Sequence, residues 1–333
     1  MANITFSEAS GLNDSIFGKS QAPIRLFIEK RGEAFEQKSM IPVFCAEEQS
    51  QHFGEKYTSM TAMEGFQPVG ENGEAPVDGM QEGYSKFIEN MTWKNSFSLS
   101  REIIEDAKTM DLRRKPEAFV TAYYRTRELF AAALLGAAMT AATSADYGGR
   151  KFDATAADNL SFFNTAHLSK VKGGTQCNAF KDAFSDAALA AVETRMQNFC
   201  GDNGEVLDIS PDTIIIPNIY SLKQAVFAVI GADRDPDSAY NGFNYHFGRW
   251  NVAVWPYLNK YVSSGTAPWM LCDSRYNKTA GGFVFQNRTN LDVISYLSQG
   301  NDANVWHGYA RFTGGFNDWR AYALGGYSSG QTA

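Results

Sequence analysis

FNTAHLSKVKGGTQCNAFKDAFSDAALAAVETRMQNFCGDNGEVLDISPDTIIIP, residues 163–217, runs from a turn-rich segment into one amphipathic helix, a tight turn and a strand bracketed by prolines. Leu189, Val192, Met196 and Phe199 recur at helical spacing, which predicts a helix over 186–199 with those side chains on its buried face. Ser185 stands where its hydroxyl can accept a first-turn N–H, and Gly201 closes the helix. Residues 207–216 read as a strand, interrupted near Pro211 and ending in three isoleucines before Pro217. Towards the C-terminus, 219–230 reads as a second helix. Segments 252–257, 269–272, 282–285 and 293–296 read as short strands joined by Gly, Ser and Asn turns. A last strand is predicted over 305–312, before NDWR (317–320) and a glycine- and serine-rich end.

On the N-terminal side, Pro116 occupies a position that suits the first turn of a helix. No proline or strong turn cluster follows until about residue 145, so a helix of about 30 residues, roughly 45 Å long, is predicted over 116–145. Phe119, Tyr123, Phe130 and Leu134 mark its apolar face, a run of alanines lets other backbones approach, and Gly148 and Gly149 supply a stop. Before it lies a hairpin with an outgoing strand at 57–66, a turn-rich tip at 71–79 and a return strand ending at Leu99. Alternation puts Phe87, Met91, Trp93, Phe97 and Leu99 on one face of the return strand, with Glu89 and Asn95 interrupting it. Lys86, Asn90, Thr92, Lys94, Ser96 and Ser98 take the other face. So long a ribbon is marginal alone in water, and a neighbouring subunit could supply the surface it needs. Residues 1–50 read as an extended arm with one ordered piece at 24–35. Short runs alternating between helix and strand make the fold mixed α+β.

Composition is that of an ordinary globular chain of 333 residues, 44% apolar and 20% charged. Its 24 Phe and 15 Tyr serve either extensive interfaces or a large aromatic core. A net charge of −7 gives no global attraction to nucleic acid or an anionic membrane, and the basic cluster Arg113, Arg114 and Lys115 reads as a solvated face. Cys45, Cys177, Cys200 and Cys272 have no metal or redox spacing and read as reduced, buried thiols. The N-terminus has no secretory pattern, and the alanine-rich run 129–142 is too short to span a bilayer.

Motifs that would carry chemistry fail one by one. The GxSxG match at 326–330 is followed by only three residues, so no triad acid or histidine can come after it. Asp233, Asp235 and Asp237 alternate like a calcium loop, but Ser238 and Asn244 stand where Gly and Glu are needed, which leaves a polar loop stiffened by Pro236. His52, His167, His246 and His307 have no metal-binding spacing, and His167 is expected to bond the local backbone. Glu102, Glu105 and Asp106 read as a solvated face, and no phosphate- or dinucleotide-binding loop occurs. The expectation is no catalytic residue, no cofactor and no metal.

The order of parts resembles the major capsid (major head subunit) proteins of tailed bacteriophages, most closely the Mu-like type. The residues that carry it are Phe163-Asn164-Thr165-Ala166-His167, Ser185-Asp186-Ala187-Ala188-Leu189, Pro211-Asp212 with Ile214-Ile215-Ile216-Pro217, Val254-Trp255-Pro256-Tyr257-Leu258 and Trp269-Met270-Leu271-Cys272-Asp273. The match spans about residues 60–325, and its specificity lies in order and spacing. The resemblance implies an α+β capsid fold with an N-terminal arm (1–50) and an extended hairpin loop reaching over a neighbour (51–99). It further implies a peripheral domain (100–205 plus 297–333) built on the spine helix, and an axial domain (206–296) facing a five- or sixfold axis.

Hexamers and pentamers of such a subunit would close into an icosahedral shell, in the virion, around double-stranded DNA held without sequence-specific contacts. Assembly would take place in the host cytoplasm, with scaffold, portal and decoration proteins as further partners and no membrane. Phe87, Met91, Trp93 and Phe97 are the expected assembly contacts, so Trp93→Ala should weaken assembly and leave the subunit folded. No long charged helical segment precedes the arm, which implies a separate scaffold or a removed leader. Some such proteins cross-link lysine to asparagine between subunits; Lys86 and Lys94 lie on the hairpin, but the sequence identifies no acceptor and no cross-link is predicted from it. The alternatives are an encapsulin-like nanocompartment shell and, from another class, a soluble hydrolase with a dispersed site.

Overall fold

The computed structural model describes residues 4–8, 18–60, 66–75, 77, 79, 81–105, 109–171, 174–231, 244–262, 267–300 and 303–327. Strand β1 (Ile4–Glu8), helix α1 (Gly18–Glu36), a short α2 (Ile41–Phe44) and β2 (Ala46–Gln49) come first. A hairpin of β3 (Gly54–Met60) and β4 (Glu82–Glu89) leads to β5 (Met91–Leu99), α3 (Arg101–Glu105) and the long α4 (Thr109–Met139). Short pairs β6 (Ser144–Tyr147) with β7 (Arg150–Asp153) and β8 (His167–Leu168) with β9 (Thr175–Gln176) precede α5 (Asp186–Gln197). Then come β10 (Thr213–Pro217), α6 (Tyr220–Gly231), β11 (Asn251–Trp255), a 3₁₀ turn (Pro256–Tyr261), β12 (Trp269–Cys272) and α7 (Ser274–Ala280). The chain closes with β13 (Phe283–Leu297), β14 (Asn304–Phe316), a 3₁₀ turn (Trp319–Ala321) and β15 (Tyr322–Gly325).

Two sheets share one core. In the larger, β13 and β14 form a long antiparallel ribbon, β5 pairs antiparallel with β14, and β1 and β2 run parallel to the two halves of β13. In the smaller, of order β11-β10-β12-β15, β10 is central, and its isoleucines are buried as expected of a strand covered on both faces. Every residue of α4 from Phe130 to Met139 is buried, so this half of the helix contacts protein on all sides. Gly136 is part of the reason. A Cβ there would sit 2.2 Å from the Tyr261 ring, so only glycine lets the 3₁₀ turn press onto the helix. A second cluster, with Ile24, Ile28, Val120, Tyr124 and Trp306, glues α1 to the exposed half of α4 and the sheet.

Several expected elements shift for identifiable reasons. The spine helix starts at Thr109, so Pro116 lies inside it rather than at its start. It stops at Met139, where Ala141 adopts a left-handed φ of 56° and the N–H groups of Ala142 and Ala141 bond the carbonyls of Ala137 and Ala138, both at 3.0 Å. Gly148 and Gly149, both at positive φ, instead make the two-residue turn between β6 and β7. The return strand expected up to Leu99 is two strands that break at Asn90 and join different sheets. The strands expected at 282–285 and 293–296 are one strand of 15 residues, bent by register slips between Asn287 and Asp292. The strand expected over 207–216 contracts to Thr213–Pro217, and the one over 252–257 ends before Pro256. The piece at 24–35 belongs to a helix of 19 residues. Helices at 186–197 and 220–231 and the strand at 269–272 stand where the periodicity put them, the first two within two residues. Sheet pairing crosses the expected division at residue 296, because β13 pairs with β14 and β15 completes the sheet of β10–β12.

The Ser185 hydroxyl accepts the Ala188 N–H at 3.1 Å, the N-cap its position predicts. Ser185→Ala is expected to lower stability by about 1 kcal/mol, read as a drop in denaturant midpoint at unchanged slope.

Candidate assembly surface

The β3–β4 hairpin is tied to the body by polar bonds at its base. Lys86 is only 6% exposed, and its ammonium lies 2.6 Å from Asp153 Oδ2 and 2.6 Å from Thr155 Oγ1. Partial burial pushes the Asp153 carboxyl up, but the bonds from Lys86 and Thr155 outweigh it and hold the group below its ordinary value. Lys170 donates to the Gly83 carbonyl at 2.6 Å. The Tyr57 hydroxyl donates to Glu48 (2.7 Å) and accepts from Gln286 (2.8 Å), and burial pushes its pKa well up. At the crossing between sheets, the buried Asn90 donates its amide to Ser50 Oγ (2.7 Å) and the His52 carbonyl (3.0 Å).

This arrangement inverts the expected faces of β4. Ile88 and Lys86 point inward, while Phe87 is 56% exposed, because the side-chain parity changes at Asn90 as the strand passes to the other sheet. The four expected contact residues are therefore not on one surface. Phe87 lies on the open face of the hairpin. Met91, Trp93 and Phe97 lie on β5 and pack on this chain's own core. Trp93 stacks on Phe312 at 4.9 Å, meets Phe130 edge-on at 5.4 Å and donates its indole N–H to the Phe312 carbonyl at 2.9 Å. Phe97 stacks on Trp306 at 5.1 Å.

Exposed apolar side chains that sequence reasoning passed over include Phe53, Phe66, Val69 and Val77 on and around the hairpin, and Tyr220 and Phe227 on α6. Val69 carried a usable signal, since a large apolar residue between Pro68 and Gly70, at the approach to a turn-rich tip, has no core to enter. On α6, Leu222, Val226 and Ile230 face inward at i, i+4 and i+8, and the apolar residues left over face outward.

The FNTAH turn is fixed by side chains. The ring nitrogens of buried His167 face Asp158 Oδ2 (2.6 Å) and Asn178 Oδ1 (3.2 Å), and the ring stacks on Trp319 at 4.3 Å, so its partners are not the local backbone. Arg320 continues the tie, reaching Asp202 at 2.8 Å and Asp318 at 3.3 Å. FNTAH and NDWR, far apart in sequence, thus form one buried joint. Burial pushes the thiols of Cys45 and Cys272 up, away from reactive thiolate. Among the described residues no three His, Cys, Asp or Glu side chains gather as metal ligands, and no helix is long and apolar enough to cross a membrane. Asp233, Asp235, Asp237, Asp106 and the GxSxG serines Ser328 and Ser329 lie outside the described residues.

The family profile described as phage capsid protein matches residues 84–324, most of the chain, from β4 to β15. The chain belongs to the phage capsid protein family. This capsid protein is a structural, non-enzymatic component of the phage virion. No individual curated protein matches it. In structure the capsid protein is similar to a chain of Mycobacterium phage Patience at 11% identity, covering 95% of this chain and 94% of that one with a TM-score of 0.49. It is similar also to the capsid of Ralstonia phage GP4 (11% identity, 81% and 82% covered, TM-score 0.49) and to that of Myoviridae phage XM1 (14%, 82% and 85%, 0.47).

One buried group of the capsid protein makes its stability depend on pH. His246 is 2% exposed, accepts the Trp250 indole N–H on Nδ1 at 3.2 Å, and has Asp186 at 3.6 Å, Glu193 at 4.0 Å and Arg249 bound to Glu193 at 2.7 Å. Burial holds its pKa below the ordinary value, and the two carboxylates offset this only in part. The unfolded chain takes up this proton near pH 6.5 and the folded chain resists it. The contribution of His246 to stability is therefore complete above about pH 6.5 and falls as pH drops below it. His246→Gln is expected to flatten the dependence of the urea midpoint on pH between 5 and 8. Trp93→Ala is expected to destabilise the capsid protein itself by about 3 kcal/mol, visible in the denaturant midpoint of the unassembled subunit.

Proposed function

We propose that this capsid protein self-assembles as hexamers and pentamers into an icosahedral head that encloses double-stranded DNA. The observation that carries the reading is the family match running unbroken from β4 to β15. The exposed apolar side chains Phe53, Phe66, Val69 and Phe87 support it, since they stand on or beside a hairpin whose base is bound to the body and whose open face no described residue covers. Residues 51–99 would form the extended loop that reaches over a neighbour, following an arm at 1–50. A peripheral domain at 100–205 and 297–333 and an axial domain at 206–296 would share the β13–β14 ribbon. Phe87 would make direct contact between subunits, with Met91, Trp93 and Phe97 acting through the sheet that carries them.

Scaffold, portal and decoration proteins are the further partners of this reading. The FNTAH and Ile-Ile-Ile-Pro motifs favour the Mu-like type within the family. A charge of −7 fits a lining that holds DNA without sequence-specific grip. Negative-stain microscopy of the purified protein, alone and with its neighbouring gene products, is expected to show rings or closed shells, and a persistent monomer in both would sink the reading. Phe87→Ala should reduce particle yield while leaving the melting temperature of the free subunit unchanged.

A further inference from the structure

The larger sheet is closed on one face and open on the other. Along β14, Trp306, Gly308, Ala310 and Phe312 are buried, whereas His307, Tyr309 and Arg311 between them are only half-buried. Register sets Thr92, Lys94 and Ser96 of β5, all exposed, directly opposite Arg311, Tyr309 and His307. The β3–β4 hairpin covers the far end of this face, where a Cβ on Gly315 would come within 2.9 Å of Ile88 and Tyr57 bonds Gln286. On the third strand, β13, the register slips between Asn287 and Thr289. That bulge feeds in one extra residue, so Arg288 and Thr289 both oppose Arg311.

Two guanidinium groups meet at the bulge without an acceptor. Arg311 Nε and Arg288 Nη1 are buried nitrogens with no hydrogen-bond partner. The arginines of the core are treated differently, since Arg127 reaches Glu47 at 3.1 Å and Arg320 reaches Asp202 at 2.8 Å. A buried N–H left without an oxygen is rare in a folded chain, and two side by side mark a place that an oxygen-rich partner completes. Asp292, across from Tyr309, is the one carboxylate in register with these groups among the described residues. Arg, Lys, Ser, Thr and Tyr side chains are the set that contacts the phosphate oxygens of a nucleic-acid backbone. A protein partner would need an apolar centre to anchor it, and Thr92, Lys94, Ser96 and Arg311 offer none.

We infer that the open face of the larger sheet binds the phosphate backbone of DNA, with one phosphate between Arg288 and Arg311 and the next met by Lys94 and the hydroxyls of β5. This rests on the shell-subunit reading for its setting and assigns the DNA contact to one surface. Backbone contacts of this kind position a duplex and carry no sequence information. They are also local, because a chain with a net charge of −7 repels a polyanion everywhere except where its cations cluster. The hairpin base bounds the site at one end, so the duplex would lie across β5 and β14 and leave the hairpin free.

Fluorescence anisotropy tests it, with a labelled duplex of about 20 base pairs titrated with the purified protein between roughly 20 and 150 mM KCl. Two duplexes of unrelated sequence are expected to bind alike. Lys94→Gln, and separately Arg288→Gln with Arg311→Gln, should each weaken binding by about tenfold and flatten the log–log salt slope by about one. Arg113→Gln with Arg114→Gln, on α4, should change neither. Lys94 is exposed, so its variant keeps the test decisive even where the arginine pair fails to fold. A parent that does not bind the duplex, or a Lys94→Gln protein that binds like the parent, overturns the inference and leaves the shell reading intact. So does a parent that inorganic phosphate stabilises against heat but that does not retain the duplex, since the site then takes a free anion. Loss of rings and shells in Lys94→Gln with duplex binding unchanged would also overturn it, giving the face to a second copy. A parent that binds the duplex but forms neither rings nor shells overturns the shell reading alone.

Discussion

The fold depends on one helix half that has no solvent side. From Phe130 to Met139, α4 is enclosed by the large sheet, the 3₁₀ turn Pro256–Tyr261 and the β6–β7 hairpin, and its alanines and Gly136 let all three approach. Such a helix cannot be stable alone, because its apolar surface is worth something only when every neighbour is in place. It couples the two sheets into one cooperative core. Gly136 shows how tight that coupling is, since the 3₁₀ turn carrying Tyr261 comes closer than any side chain would permit.

With the core closed in this way, the hairpin must attach by other means, and it does so with polar bonds. Lys86 to Asp153, Lys170 to Gly83 and Tyr57 to Gln286 are directional contacts that set an angle as well as a position. An apolar contact would allow sliding; a buried ammonium between a carboxylate and a hydroxyl does not. Asn90 plays the same part at the crossing, where one polar side chain closes a turn between two strands that belong to different sheets. The joint between FNTAH and NDWR repeats the device with His167, Asp158, Arg320 and Asp202.

Much of this was legible in the sequence wherever two signals agreed. The helix after Ser185 had both a cap residue and a periodic face, and β10 had an isoleucine run between prolines. Where one signal was followed against another, the reading failed. Pro116 is a common helix start, and nothing in residues 109–115 marked the true one. The helix stop fell on Ala141 in a left-handed conformation, which costs alanine about 1–2 kcal/mol and is held there by packing that local sequence cannot reveal. In β4 the parity change was visible. Ile88 and Glu89 contradict a single face running from Phe87 to Leu99, and taking them at face value would have exposed Phe87 and buried Lys86. The assembly contacts were less legible because an aromatic residue in an alternating strand looks the same whether its partner belongs to its own chain or to another. Trp93 and Phe66 differ in what surrounds them, and only the fold supplies that.

If the chain builds a shell as proposed, the separation between core and surface bears on how its subunits associate. Trp93 and Phe97 pack on the chain's own core, while Phe66, Phe87 and Phe227 leave much or all of their surface exposed. An interface built from a few such anchors gains about 2 kcal/mol from each one that is fully desolvated, against the several kcal/mol lost in immobilising a partner. A single contact is then too weak to trap a misplaced subunit, and a subunit held by several neighbours is not released. The net charge works in the same direction, since seven excess negative charges oppose association as copies approach. Weak anchors set against a general repulsion favour the closed arrangement in which every anchor is used at once.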